Sequence, residues 1–235
     1  VLRRVLVKIS GEALGPRGLV AGSVSALAGE IRAAAEAGTE IGVVLGGGNL
    51  LRARDLDLPS VRRPVLDRMG MLATVVNALA LSETLASQGR AAVVLTATPM
   101  PAIAEPFRME RARELLDAGT VVLLAGGTGH PWFTTDTAAA LRALEIGADA
   151  LLKATKVDGV YSADPVGNPG AVRYDSLDYD DVLRMRLAVM DLTAITLCRE
   201  NRLPIRVFDM GVPGNLLRVV RGEPVGTLVG GDHVR

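Results

Sequence analysis

Gly126-Gly127-Thr128-Gly129-His130-Pro131-Trp132-Phe133-Thr134-Thr135-Asp136 lies between two segments of opposite character, and its reading decides the fold. Before it, Val121-Val122-Leu123-Leu124-Ala125 is a short unbroken apolar run, the pattern of a strand buried on both faces. After it, Thr137 to Glu145 carries alanine and leucine in a helical pattern. A strand that passes through three glycines into a helix start exposes unpaired backbone N–H groups and the positive end of a helix dipole. That is a ready anion site, and the hydroxyls of Thr128, Thr134 and Thr135 add donors. A plain glycine-rich turn capped by Thr135 or Asp136 satisfies the same residues. The stretch alone does not separate the two readings.

The same grammar recurs along the chain. Arg3 to Ile9 is an apolar strand that ends in Lys8 and runs into Ser10-Gly11-Glu12. A strand-end lysine is costly unless its ammonium meets an anion or reaches water. Ile41 to Leu45 is a second strand and opens into Gly46-Gly47-Gly48-Asn49, with Arg52 four residues past the last glycine. Three consecutive glycines are wasteful in entropy unless the backbone must approach something closely. A guanidinium just beyond them suits a phosphate. Ala91–Leu95, Ala148–Lys153, Ile205–Phe208 and Val225–Val229 read as further strands. Helices are expected at Ser25–Ala37, from Pro64 onward, and at Met109–Ala118, Val189–Arg199 and Leu216–Val220. Asp158-Gly159 signals a hairpin or tight turn, and Asp178, Asp180 and Asp181 mark a helix N-terminus. Residues 53–63 and 165–180 read as loops.

Strands alternating with helices imply an α/β fold, a mainly parallel sheet covered by helices on both faces. Ligands of such sheets gather beyond the carboxyl ends of the strands. Four of those ends here carry Lys8 to Gly11, Gly46 to Asn49, Gly126 to Gly129 and Thr155-Lys156. Together they point to a polyphosphate. The helix after Pro64 carries Val65, Met69, Leu72, Val76 and Leu79 as an apolar stripe, the mark of a core face or a subunit contact. Asp67 falls in its first turns.

Composition narrows the function classes. With 26 basic and 26 acidic residues, the chain lacks the electrostatic footprint of a nucleic-acid binder. Cys198 is the single cysteine, expected as a small apolar filler in a reducing compartment. His130 and His233 are far apart with no cysteine pairs nearby, so no structural metal site is expected. No unbroken apolar run reaches the length of a membrane span, and the chain opens on a strand without a signal peptide pattern. A cytoplasmic protein that avoids membranes and nucleic acid is the expectation.

At this point the chain resembles the bacterial uridylate kinases of the amino acid kinase family. The matching stretches are Lys8 to Leu14; Gly46 to Leu50 with Arg52; Met69 to Thr74; Thr128-Gly129 with Pro131 and Phe133 to Asp136; Lys153 to Tyr161; and Leu203 to Phe208. The resemblance implies one α/β domain over residues 1–235, a three-layer sandwich, and a homohexamer. It implies transfer of the ATP γ-phosphoryl to UMP in pyrimidine biosynthesis, magnesium travelling with ATP and not on a dedicated protein site, and UTP as feedback inhibitor. Lys8, Ile9, Ser10, Gly11, Gly48 and Arg52 would then line the ATP phosphates, with Thr155, Tyr161 and Asp164 at the adenosine end. Gly47, Asp67 and the run Thr128, Gly129, His130, Pro131, Trp132, Phe133, Thr134 and Thr135 would hold UMP. Lys8 and Arg52 would act on the transferring phosphoryl, and Asp136 would organise Lys8.

Two positions depart from the family pattern. His130 stands where Asn is usual, and Gly15-Pro16-Arg17-Gly18-Leu19 is shorter than the loop that enteric-type relatives use in activation by GTP. Two alternatives stay open on sequence grounds: a kinase of the same fold acting on a carboxylate or carbamate, and a non-catalytic nucleotide-binding subunit.

Overall fold

A computed structural model describes residues 1–52 and 58–230. The expected loop at 53–63 is therefore described only from Leu58, and His233 lies outside the described residues. The chain runs β1 (Arg4–Ile9), a 3-10 turn (Gly11–Leu14), α1 (Ala21–Glu36), β2 (Glu40–Leu45), α2 (Arg63–Ser87), β3 (Ala92–Thr96), β4 (Glu105–Pro106), α3 (Met109–Asp117) and β5 (Val121–Ala125). It continues through α4 (Thr135–Ile146), β6 (Ala150–Thr155), β7 (Val160–Tyr161), β8 (Arg173–Tyr174), β9 (Ser176–Leu177), α5 (Tyr179–Met185), α6 (Leu192–Glu200), β10 (Ile205–Asp209), α7 (Asn215–Val220) and β11 (Thr227–Val229).

Among the described residues, nine strands form one sheet in the order β4-β3-β5-β2-β1-β6-β10-β11-β9, parallel except where β11 runs against β10. β7 and β8 make a separate antiparallel hairpin after the Asp158-Gly159 turn. The four strand ends singled out above belong to β5, β2, β1 and β6, which are adjacent in this order. Their loops therefore emerge side by side along one edge.

Side-chain alternation along each strand divides the core into two layers. Val5, Val7 and Ile9 of β1 and Ala150, Leu152 and Ala154 of β6 pack with α1, α2 and α7. Leu6 and Leu151 point the other way, into the layer of α3, α4, α5 and α6. By the same alternation Lys8 and Lys153 lie on the α4 face, and they are register partners across the β1–β6 pair.

The boundaries that moved have local causes. α4 is capped by Thr134, not by Thr135 or Asp136, its Oγ1 accepting from Asp136 N at 3.0 Å and Thr137 N at 3.3 Å. α6 starts at Leu192, not Val189, because the Asp191 carboxylate accepts from Ala194 N at 3.0 Å and fixes the start there. α1 begins earlier than Ser25, since Val24 extends the buried face of Leu27, Ala28 and Ile31. β4 and β9 are two residues each, too short to leave a periodic pattern. Cys198 is buried within α6, and burial pushes its thiol up to about 12, the behaviour of an inert filler.

α2 is apolar on both sides. Ala73, Val75, Ala78, Leu81 and Leu85 face the core, whereas Leu72 is 50% and Val76 48% exposed. By length and composition it passes for a membrane span, with a mean hydropathy of 1.4 over its most apolar window. Its packing against α1, β3 and β5 makes it a core helix with a second, outward apolar stripe.

Candidate active site

The centre of the site is a carboxylate shared by two ammonium groups. Asp136, in the first turn of α4, receives Lys8 Nζ at 2.7 Å on Oδ1 and Lys153 Nζ at 2.9 Å on Oδ2. All three side chains are 12–16% exposed. Lys153 also donates to the Val189 carbonyl. Burial would raise the Asp136 carboxyl, but the two ammonium groups outweigh it and hold it below its ordinary 3.8. Lys153 is pushed below its ordinary 10.5, chiefly by burial and further by Lys8, against the pull of Asp136. One carboxylate thus serves two cations, which leaves a net positive charge facing outward.

That charge faces a cleft of about 1170 Å³ at the carboxyl ends of β1, β6 and β10. Lys8, Ser10, Glu12, Thr155 and Lys156 line one wall, with residues of α1 and the segment Asp209 to Pro213 completing it. Ile9 has its side chain in the core, so it offers only backbone here, and its carbonyl accepts Gly46 N at 2.8 Å. Thr155 Oγ1 donates to the Val157 carbonyl at 2.6 Å, tightening the turn out of β6.

The glycine loops are shaped by their own packing. A Cβ on Gly11 would come within 2.7 Å of Gly46 O and 2.3 Å of Asn49 Oδ1. One on Gly47 would come within 2.8 Å of Gly70 O in α2. The close approach inferred for the triple glycine is therefore made in the first place to β1's loop and to α2. A buried amide pair, Asn49 and Asn77, ties the loops together. Asn77 Nδ2 donates to Asn49 Oδ1 at 2.7 Å and to Gly46 O at 2.8 Å. Gly126 N donates to Thr74 Oγ1 at 2.8 Å, which fixes the β5 loop to the same helix. Arg52 turns back on its own loop, with Nε donating to Gly48 O at 3.1 Å, and pairs with Glu12.

Beyond β5 the chain joins α2 through Asp67. Its Oδ2 accepts Trp132 N at 2.9 Å, and its Oδ1 accepts Arg63 Nε at 2.6 Å. Trp132 is held at φ 77°, a left-handed conformation that costs a non-glycine residue energy, and Arg63 lies 5.5 Å from its ring centroid. Trp132 and Phe133 are exposed and His130 stands at the tip of the turn. Gly129 is at φ 81° and packs on Ala97.

Comparison with known proteins bears on this geometry. The model of the amino acid kinase family matches residues 3–209. The chain belongs to the amino acid kinase family. Among its relatives, a protein named uridylate kinase from Legionella pneumophila (strain Lens) is 51% identical over 234 residues, covering 98% of this chain and 95% of that one. Another of the same name from Magnetococcus marinus is 51% identical over 230 residues, covering 97% and 95%. The crystal structure of UMP kinase from Bacillus anthracis superposes with a TM-score of 0.95 at 38% identity, covering 98% of this chain and 97% of that one.

Within this amino acid kinase the expected residues fall into three sets. Lys8, Ser10, Gly11, Gly48, Arg52, Thr155 and Asp136 converge on the shared edge of the sheet. Gly47, Asp67 and the run from Thr128 to Thr135, with Pro131 in its turn, form the neighbouring β5–α2 corner. Tyr161 and Asp164 stand apart on the β7–β8 hairpin: Tyr161 donates to Asp158 Oδ1 at 2.6 Å, and Asp164 Oδ1 accepts Val166 N at 3.0 Å. Two hydroxyls assigned as anion donors are occupied within the chain. Thr128 donates to the His130 carbonyl at 3.1 Å, and Thr134 donates to Asp191. A short loop satisfies its own backbone first. Sequence reading gave no role to Lys153, Glu12, Arg63 or Asp191. Lys153 was recoverable, since it closes a strand just as Lys8 does, but its meeting with Asp136 depends on register.

Proposed function

We propose that the chain transfers the γ-phosphoryl group of ATP to UMP, giving ADP and UDP. The observation that carries the reading is the Lys8–Asp136–Lys153 cluster, whose two lysines line the cleft at the carboxyl ends of β1, β6 and β10. Phosphoryl transfer needs positioning and neutralisation of charge more than covalent chemistry. Lys8, prealigned by Asp136, is placed to stabilise charge developing on the transferring group, and Arg52 adds a second cation. The donor nucleotide occupies the cleft, with its adenosine end toward Thr155 and the β7–β8 hairpin. The acceptor lies toward Asp67 and the Thr128–Thr135 turn, and magnesium enters as part of the nucleotide substrate. ATP consumption measured side by side with UMP, CMP, dTMP and acetylglutamate tests the reading. UMP should be the acceptor by a wide margin, and acetylglutamate turnover with UMP inert would overturn it.

Asp67 faces the acceptor ribose in this reading, because a carboxylate beside a phosphate would repel it. Asp67→Asn is expected to weaken UMP binding roughly tenfold, the scale of a charge-assisted hydrogen bond, and to leave the KM for ATP nearly unchanged. Equal losses for both nucleotides would point to a loosened Trp132 turn.

The outward stripe of α2 suits a subunit contact, and a cytoplasmic hexamer with UTP as feedback inhibitor completes the proposal. Leu72→Ser with Val76→Ser is expected to break assembly while leaving the fold intact, since neither side chain enters the core. Light scattering after size exclusion reads the mass, and an unaltered oligomer would refute the assignment.

Activation by GTP is expected to be weak. Gly18 N donates to Asn49 O and Asn49 Nδ2 to Gly18 O, each at 2.8 Å, so the short Gly15–Leu19 loop is clamped to the glycine loop of β2. Coupling between sites requires alternative states, which this clamp restricts. A several-fold rate rise in a GTP titration at subsaturating UMP would contradict it.

A further inference from the structure

Asp136 and Glu12 both pair with cations at this cleft, and they are held differently. Asp136 is enclosed between Lys8 and Lys153 and is 14% exposed. Glu12, in the 3-10 turn after β1, receives Lys156 Nζ at 2.7 Å on Oε2 and pairs through Oε1 with Arg52. β2 and β6 flank β1 in the sheet, so Arg52 and Lys156 reach this one carboxylate from opposite sides. Lys156 is 72% exposed and Arg52 33%. The pair with the exposed Lys156 separates easily and the half-buried Arg52 pair less so, whereas the enclosed pairs of Asp136 resist separation. A polyphosphate entering the cleft presents several oxygens to the same two cations and outcompetes a single carboxylate.

We propose that Glu12 is an internal competitor for the phosphate-binding cations, setting the affinity of the donor site for polyphosphates by occupying Arg52 and Lys156. The inference rests on the reading of the cleft as the phosphoryl-donor site. Asp136 stays with Lys8 throughout, and Glu12 gives up its partners. Its carboxylate lowers the affinity for ATP and ADP alike and so favours release of the product nucleotide. A residue that only braced the loop would have the opposite effect on removal, because the two cations would lose their alignment.

Titration calorimetry with ADP, inorganic tripolyphosphate and adenosine separates these cases at one ionic strength and a fixed magnesium concentration. Glu12→Gln keeps the shape and removes the charge. It should tighten ADP and tripolyphosphate about fivefold, the scale of losing an exposed competing ion pair, and leave adenosine unchanged. Unchanged or weaker binding of the two phosphates would overturn the proposal, as would an equal gain for adenosine. Failure of the wild type to bind ADP or tripolyphosphate would overturn the donor-site reading itself, and this proposal with it. Glu12→Ala, which removes the same carboxylate, carries the identical expectation should the Gln variant fold poorly.

Discussion

Lys8→Ala is expected to lower kcat at least ~100-fold, the loss that follows when a prealigned charge is removed from a site of developing charge. Lys8 is 12% exposed and fixed at 2.7 Å from Asp136, so it has neither the freedom nor the hydration of a surface lysine. Its removal leaves Asp136 paired with Lys153, so the fold should survive and the loss should fall on turnover. Steady-state kinetics on the folded variant decide the matter. Activity within a few-fold of the wild type would mean that Lys8 serves only to neutralise Asp136.

Asp136→Asn should cost both stability and activity, because two largely buried ammonium groups would share no carboxylate. Breaking a buried pair in this way costs about 3–5 kcal/mol, a large part of the 5–15 kcal/mol that holds a typical domain folded. The sign of the pH effect follows from the shift. The folded Asp136 carboxyl lies below its ordinary 3.8, so its stabilisation is fully present above that value and is lost as pH falls through the lower, folded one. Lys153 works the other way: it is held below 10.5, so the cost of burying its charge is present at neutral pH and is relieved as pH climbs toward 10.5. Urea unfolding across the acid range should show the Asn variant missing the acid-dependent loss seen in the wild type. A variant with wild-type stability and turnover would contradict the shared-carboxylate account.

How much of this was legible in the chain depends on the range of the interaction. The strand ends at Ile9, Leu45 and Ala125 were readable because each apolar run stops at a glycine or a hydroxyl, whereas β6, expected to stop at Lys153, runs on to Thr155. Their gathering at one edge followed from parallel alternation alone. Thr134 as the cap was missed by a single residue, since three successive positions there can all cap a helix. The outward turn of Leu72 and Val76 was beyond reach, because α2 is apolar on two faces and periodicity cannot rank them. Lys153, Glu12 and Asn77 were hidden for a different reason. Each acquires its role from a partner brought in by sheet register or helix packing: Lys153 from Asp136, Glu12 from Lys156, Asn77 from Asn49. No local pattern encodes such meetings.

The central claim is that phosphoryl passes from ATP to UMP in this cleft, and phosphorus NMR of the protein with magnesium, ATP and UMP follows it directly. The account expects the ATP γ signal to decay as the β signal of UDP grows in equal amount, with no inorganic phosphate. Inorganic phosphate appearing in place of UDP, or ATP left intact beside UMP, would contradict it.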